Sequence, residues 1–343
     1  PPFQGQMRFD YMEKDLLRTD SRRWSMQYKH QGLISPYVAG GAMGLDLNVN
    51  RVSDDDYWKD FSVSSGTGNI LFASDSDGSG GGAIELATTS LTTSGGNITL
   101  GGGNTSGTGY AEGTSTAWNG ISQRGVYLSS STLNANSGNI GIKGKGLQSG
   151  GGVGQYSIGL DMVLGSTIQT SGSGSITIDG VGGVNTDNNS HSTGINFYAP
   201  GASNNIFSGS GAISIMGTAS PSLLSGRVHA GINLDYGPTQ IYSTSGGITL
   251  RGVGTSSDTG ISVLTGSTLY VGRKSDGTVT TSGNIRLKSN SFNWTGTGAV
   301  AGTGSLTIEP DTDGTTMGIG SGAGTLNLAN SLFSGTSVYK NGF

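Results

Sequence analysis

The phrase Ser/Gly-Gly-x-Ile-x-Leu/Ile returns along the chain, with its first isoleucine at Ile70, Ile98, Ile140, Ile176, Ile213, Ile248 and Ile285. The last five are 36, 37, 35 and 37 residues apart. A period held this closely marks a stack of equivalent units, each burying its apolar face on the next. It moves the search for function from one pocket to a long surface.

Glycine supplies 64 of 343 residues, against a usual share of about 7%. Disorder does not place β-branched residues in register seven times, so glycine and serine read as turns between strands. Each repeat holds three short apolar pieces. The first is Val126/Leu128, Leu160/Met162, Ile195/Phe197, Ile232/Leu234 and Ile261/Val263. The second is a single aliphatic: Leu133, Ile168, Ile206, Ile241 and Leu269. The third is the recurring phrase itself, as Ile176/Ile178 and Ile213/Ile215. Apolar positions two apart within a piece are strand periodicity. Three strands per turn, stacked at about 4.8 Å, predict an all-β parallel β-helix, a solenoid with aliphatic columns inside. The segments 143–157, 179–193, 216–230 and 251–259 vary; one coil per repeat with a side loop is favoured over a second coil in each.

Residues 1–60 hold 17 of the 40 charges. They are expected to be a distinct charged segment, a cap or junction, ahead of a repeat region at 61–343. Within it, 10–20 could form a short amphipathic helix, the run from Gly44 to Val49 alternates like a strand, and Asp54-Asp55-Asp56 reads as a solvated turn. The chain begins at Pro1 without a leader pattern and ends as though more followed, so it reads as a processed or excised piece.

Composition excludes several classes. With no cysteine, disulfides and cysteine-ligated zinc are out. A net charge of −4 is wrong for nucleic acid, which needs a basic stripe. No apolar run approaches the ~18 residues of a spanning helix, so no membrane insertion by this segment is expected.

Several stretches resemble the passenger repeats of filamentous-haemagglutinin-like bacterial adhesins. They are Gly194-Ile195-Asn196-Phe197, Gly231-Ile232-Asn233-Leu234 and the run from Thr93 to Gly103. The runs from Ser305 to Pro310 and from Thr315 to Leu328 share the likeness, which covers roughly 61–343. It implies a right-handed β-helix, export across the cell envelope, and a role in adhesion or matrix.

Chemistry on such a scaffold needs carboxylates gathered on one face; glycoside hydrolysis needs two about 5–9.5 Å apart. Asp161, Asp179 and Asp235 fall on different faces or non-neighbouring coils and read as isolated surface acids. His30, His191 and His229 are scattered, the last two in the variable loops, where a histidine is usually solvated. Asp75-Ser76-Asp77-Gly78 and Asp311-Thr312-Asp313-Gly314 look like calcium loops but lack the late bidentate acid. The glycine strings lack the following helix of a phosphate loop. No cofactor and no metal site is expected.

The residues after the second-piece aliphatic are Asn134, Gln169, Phe207, Tyr242 and Tyr270. They form an outward column whose aromatics, Phe207, Tyr242 and Tyr270, are the candidate ligand-binding residues, able to stack on sugar rings or pack on a partner. The competing reading is cross-strand packing that only stabilises the sheet. Another outward column, Lys143, Asp179, Met216, Arg251 and Lys288, reads as a solvated face. A flat threonine face for ice binding is interrupted by Gly141 and Arg286. The expected function is therefore non-enzymatic: an extracellular or bacterial cell-surface adhesin or matrix-fibre segment presenting a rigid surface for multivalent binding. Its expected partners are cell-surface glycans or proteins, with end-to-end self-association. The alternatives are a polysaccharide-degrading β-helix enzyme and a self-assembling filament or sheath subunit.

Overall fold

The computed structural model describes residues 7–8, 47–50, 56–59, 62–74, 81–104, 106–114, 123–148, 156–184, 191–220, 229–255, 258–278 and 281–328. The expected helix at 10–20, the Asp75-Ser76-Asp77-Gly78 loop, His30, and Asp54 and Asp55 lie outside them. The described chain is all-β, and every pairing between its strands is parallel.

Three ladders carry the three apolar pieces. The first ladder contains Ile98–Gly102, Ile140–Lys145, Ile176–Val181, Ile213–Thr218, Ile248–Val253 and Ile285–Ser289. Its register files Ile98, Ile140, Ile176, Ile213, Ile248 and Ile285 one above another. The second stacks Ile84, Val126, Leu160, Ile195, Ile232 and Ile261. The third stacks Leu91, Leu133, Ile168, Ile206, Ile241 and Val271. The second and third ladders join through one 14-residue strand, Ala230–Ser243. Each strand pairs with its counterpart one repeat on, so a repeat adds one rung to each ladder. Successive variable segments meet, among the described residues, in one isolated parallel bridge, Tyr156 to His191.

The filed side chains are essentially removed from solvent: Ile176, Ile213, Ile206 and Leu160 are all 0% exposed. Each contributes roughly 1.5–3 kcal/mol of burial, so a rung with several of them outweighs its polar turns. At the far end, Phe292, Trp294 and Ile308 pack both on this core and on Leu326 and Leu328, which cover it. Toward the amino end, Leu47–Asn50 pairs with Ile70–Ser74, and Asp56–Lys59 pairs with Ile84–Ala87. The strand expected from Gly44 to Val49 thus lies at Leu47–Asn50, and Asp56 opens a strand rather than closing a turn.

One element differs from the sequence reading. Leu269 was expected in the third file, but it pairs with Thr239, and Val271 takes the place opposite Ile241. The corner between the second and third ladders changes length from coil to coil. Five residues separate Leu128 from Leu133, whereas eight separate Val263 from Val271. Both Leu269 and Val271 face inward, so counting from the first piece stops one inward position early.

The recurring glycine sits two residues before the filed isoleucine for a steric reason. A Cβ built on Gly96, Gly138, Gly174, Gly211, Gly246 or Gly283 would run into the carbonyl oxygen of the equivalent glycine one rung below, well inside the 3.0 Å that real Cβ atoms keep. The carbonyls of this column accept hydroxyl hydrogen bonds from the preceding corner: Ser65 to Gly68 at 2.6 Å, Thr170 to Gly174 at 2.7 Å and Ser208 to Gly211 at 2.6 Å. Between glycine and isoleucine, the side-chain carbonyls of Asn69, Asn97 and Asn139 each accept the backbone N–H of the next rung at 2.8 Å. A second set of glycines closes the base of the variable loops. Gly144, Gly180, Gly217 and Gly252 press against the carbonyls of Gly159, Gly194, Gly231 and Gly260, leaving no room for a Cβ.

Replacing Gly211 by Ala should therefore cost about 3 kcal/mol or abolish folding, because backbone must move. Gly141→Ala, with nothing within 4 Å of the new methyl, should stay within about 0.5 kcal/mol. Urea unfolding of the two variants checks the contrast.

Candidate functional site

The outward face of the third ladder holds the predicted aromatics. Phe207 and Tyr242 occupy opposite positions on adjacent rungs, and their rings stack with centroids 5.3 Å apart and planes 5° from parallel. The ammonium of Lys274, from the segment that follows the next rung, lies over the Tyr242 ring at 5.5 Å. The ring faces are thus engaged within the protein, and the pair presents its edges outward. Tyr270 is displaced from this column. It pairs with Gln240, not Tyr242, for the same register reason that moves Leu269. Its ring receives the guanidinium of Arg273 at 5.8 Å. Burial, and then the negative charge of Asp276, raise the Tyr242 phenol above its ordinary value.

The structure adds residues that the sequence reading passed over. The Gln240 amide donates to Asn205 Oδ1 at 3.0 Å and accepts the Ser275 N–H at 2.7 Å, tying the turn after Tyr270 to the ladder. The signal was present in Tyr270-Val271-Gly272-Arg273-Lys274, two adjacent cations closing an aromatic strand. Tyr198 and Tyr236 also meet, at 6.3 Å, with Tyr236 half exposed. Tyr198 ends its strand one position after Phe197, whereas Tyr236 lies within the long strand two positions after Leu234, and a register shift brings the two opposite each other.

Beside the second ladder, the acid read as an isolated surface residue is buried. Asp161, 2% exposed, accepts Arg124 Nε at 2.5 Å and Asn196 Nδ2 at 2.9 Å, and Asn196 in turn accepts from Asn233 at 2.9 Å. The Arg124 guanidinium lies over the rings of both Tyr127, at 5.2 Å, and Tyr156, at 4.6 Å, and Tyr156 stacks on His191 at 5.1 Å. His229 is likewise buried rather than solvated. The N–H of Ser192 donates to its Nδ1 at 3.2 Å, and burial lowers its pKa below the ordinary 6.5. In each case the residues leading into the next strand pass close to the ladder and exclude water.

On the first ladder, the column expected to be solvated is largely paired. Tyr110 donates to Asp179 at 2.6 Å, Arg251 binds Asp311 at 2.5 and 3.2 Å, and Lys288 lies 3.7 Å from Glu309, which Arg286 of the same strand also binds at 2.5 Å. Burial and the Asp179 contact push the Tyr110 phenol up. Asp311, first acid of the calcium-like loop, is therefore committed to an arginine. Among the described residues no group of three or more His, Cys, Asp or Glu could hold a metal ion, and no helix is long and apolar enough to cross a membrane.

No family profile matches the chain, and no solved structure does. Curated proteins named LPS-assembly protein LptD do match over a short stretch. The one from Albidiferax ferrireducens is 47% identical over 73 residues, which is 20% of this chain and 9% of the relative. Those from Paracidovorax citrulli and a Polaromonas species are 43% identical over 63 residues and 44% over 66. The chain spans less than a tenth of these relatives through the matched stretch. This finding overturns the likeness to filamentous-haemagglutinin-like adhesins. With it go the adhesin or matrix-fibre function, the polysaccharide-degrading and filament alternatives, and cell-surface glycans or proteins and end-to-end self-association as partners. The physical reason is in the glycine column: stacking at this corner demands a glycine two residues before the inward aliphatic, so the phrase reports geometry rather than descent.

A pH dependence follows from His229. Its folded pKa lies below the unfolded value of about 6.5, so acidification through that value protonates the unfolded chain first and lowers stability. The loss between about pH 7 and about pH 5 should be smaller in His229→Asn, which keeps an acceptor for Ser192 and cannot titrate. Thermal melts of both proteins across that range measure the difference.

Proposed function

We propose that the chain takes part in lipopolysaccharide assembly at the cell envelope, in a non-catalytic role. The observation that carries this reading is the 42–47% identity, over 62 to 73 residues, to LPS-assembly proteins of four bacteria. The non-catalytic role is supported by where the acids stand. Asp161, Asp311 and Glu309 are held by Arg124, Arg251 and Arg286, so their charge is spent on the fold.

We read the stacked ladders as one right-handed parallel β-helix, with three strands and one coil per repeat. The in-register files of Ile176, Ile206 and Leu160 support it, since each ladder gains one rung per repeat. Residues 1–60 then act as the junction of the repeat region at 61–343. That is supported by Leu47–Asn50 and Asp56–Lys59, which pair onto its first rungs.

The test is direct. The purified chain, incubated with photoactivatable lipopolysaccharide, should be labelled saturably, and unlabelled lipopolysaccharide should compete where phospholipid vesicles do not. Absence of labelling, or equal competition by phospholipid, overturns the proposal.

A further inference from the structure

We propose that Arg273 and Lys274, with the ladder face beside them, bind a phosphate-bearing saccharide chain lying along the stack. Arg124, Lys145, Arg251, Arg286 and Lys288 all pair with carboxylates. Arg273 and Lys274 have no ion pair among the described residues. Each is instead held over a tyrosine ring, Tyr270 and Tyr242. An aromatic platform fixes a cation's position while leaving its hydrogen-bond donors unspent. Among the described residues Arg273 donates through Nε alone, toward the Lys274 carbonyl at 3.3 Å. Its terminal nitrogens keep the planar fork that matches a phosphate, and Lys274 supplies a point charge beside it.

The neighbouring face supplies the saccharide contacts. Going back along the stack from the two cations, its outward positions are Gln240, Asn205 and Thr167 in one file, and Tyr242, Phe207, Gln169 and Asn134 in the other. Amide or hydroxyl groups therefore recur at each rung, about 4.8 Å apart; Gln240 and Asn205 each spend one amide N–H and accept one bond within the protein, and the second N–H of each amide stays for a polyhydroxylated chain. The stacked rings of Phe207 and Tyr242 offer their electropositive edges, which suit oxygen rather than a sugar's apolar face. Asp276 is the opposing charge beside the two cations. It is fully exposed, accepts the Thr278 N–H at 2.8 Å, and is held ionised first by that bond and then by the two cations.

The source of the saccharide rests on the proposed role in lipopolysaccharide assembly; the chemistry of the site does not. Titration calorimetry should use three probes: the deacylated, phosphorylated oligosaccharide of lipopolysaccharide, the same oligosaccharide stripped of phosphate, and a phosphorylated malto-oligosaccharide. Removing phosphate, or substituting Arg273→Gln with Lys274→Gln, should each weaken binding about tenfold. Asp276→Asn should tighten it, a change in the opposite sense that a misfolded variant would not produce. Unchanged affinity in the double variant or after phosphate removal, weaker binding by Asp276→Asn, or no binding of either phosphorylated probe overturns the site. Lipopolysaccharide oligosaccharide that binds the double variant undiminished sinks the site and leaves the assembly reading standing. Malto-oligosaccharide phosphate that alone binds, through the two cations, keeps the site and sinks that reading.

Discussion

Backbone stacked directly on backbone at one corner is the constraint on which the rest of this fold depends. From Gly96 to Gly283, each rung sets a glycine against the glycine carbonyl of the rung before it, at a separation no side chain tolerates. This fixes the vertical register of the first ladder. Once it is fixed, Ile140, Ile176, Ile213, Ile248 and Ile285 can only lie in file. Aliphatic burial then supplies the energy, while the glycines decide which stacking is possible. Hydroxyls and asparagine amides complete the corner by satisfying carbonyls and N–H groups that water would otherwise have to reach.

The polar ladders have a second effect. Inside the corner between the second and third ladders, Ser131 and Ser166 side chains accept the N–H of Thr89 and Ser131 at 3.0 and 3.1 Å. Asn204 extends the same pattern to Ser166 at 3.0 Å. These groups are buried, so a slipped rung would strand them without partners, at about 1–3 kcal/mol for each. Polar burial thus works here as a penalty on wrong register, alongside the glycines.

The strands of the first ladder were legible because period and alternation agree there, and because the glycine column prints its steric demand into the sequence. The third ladder was legible only as far as Ile241. Its corner changes length from coil to coil, and spacing cannot say whether Leu269 or Val271 stands opposite Ile241. The same slip separates Tyr270 from Tyr242 and breaks the three-aromatic column in two. Burial of Asp161 and His229 was out of reach for another reason: Asp161 stands on the outward column of its strand, which alternation reads as solvent-facing, His229 stands off the pattern, and what covers them comes from segments without a repeat signal. The family likeness misled because a phrase demanded by packing carries little information about ancestry.

The glycine pairs at the base of the side loops, such as Gly144 against Gly159 and Gly180 against Gly194, bring the departure and return points of each excursion together. Near the neck the excursion is still tied to its neighbours, Gly183 N–H to Ser157 and Ser192 N–H to His229, so it is the stretch beyond those bonds that can lengthen, shorten or be exchanged without moving the isoleucine file. Evolution could therefore rewrite this flank coil by coil while the scaffold stays constant, much as a rack accepts different fittings on identical rails.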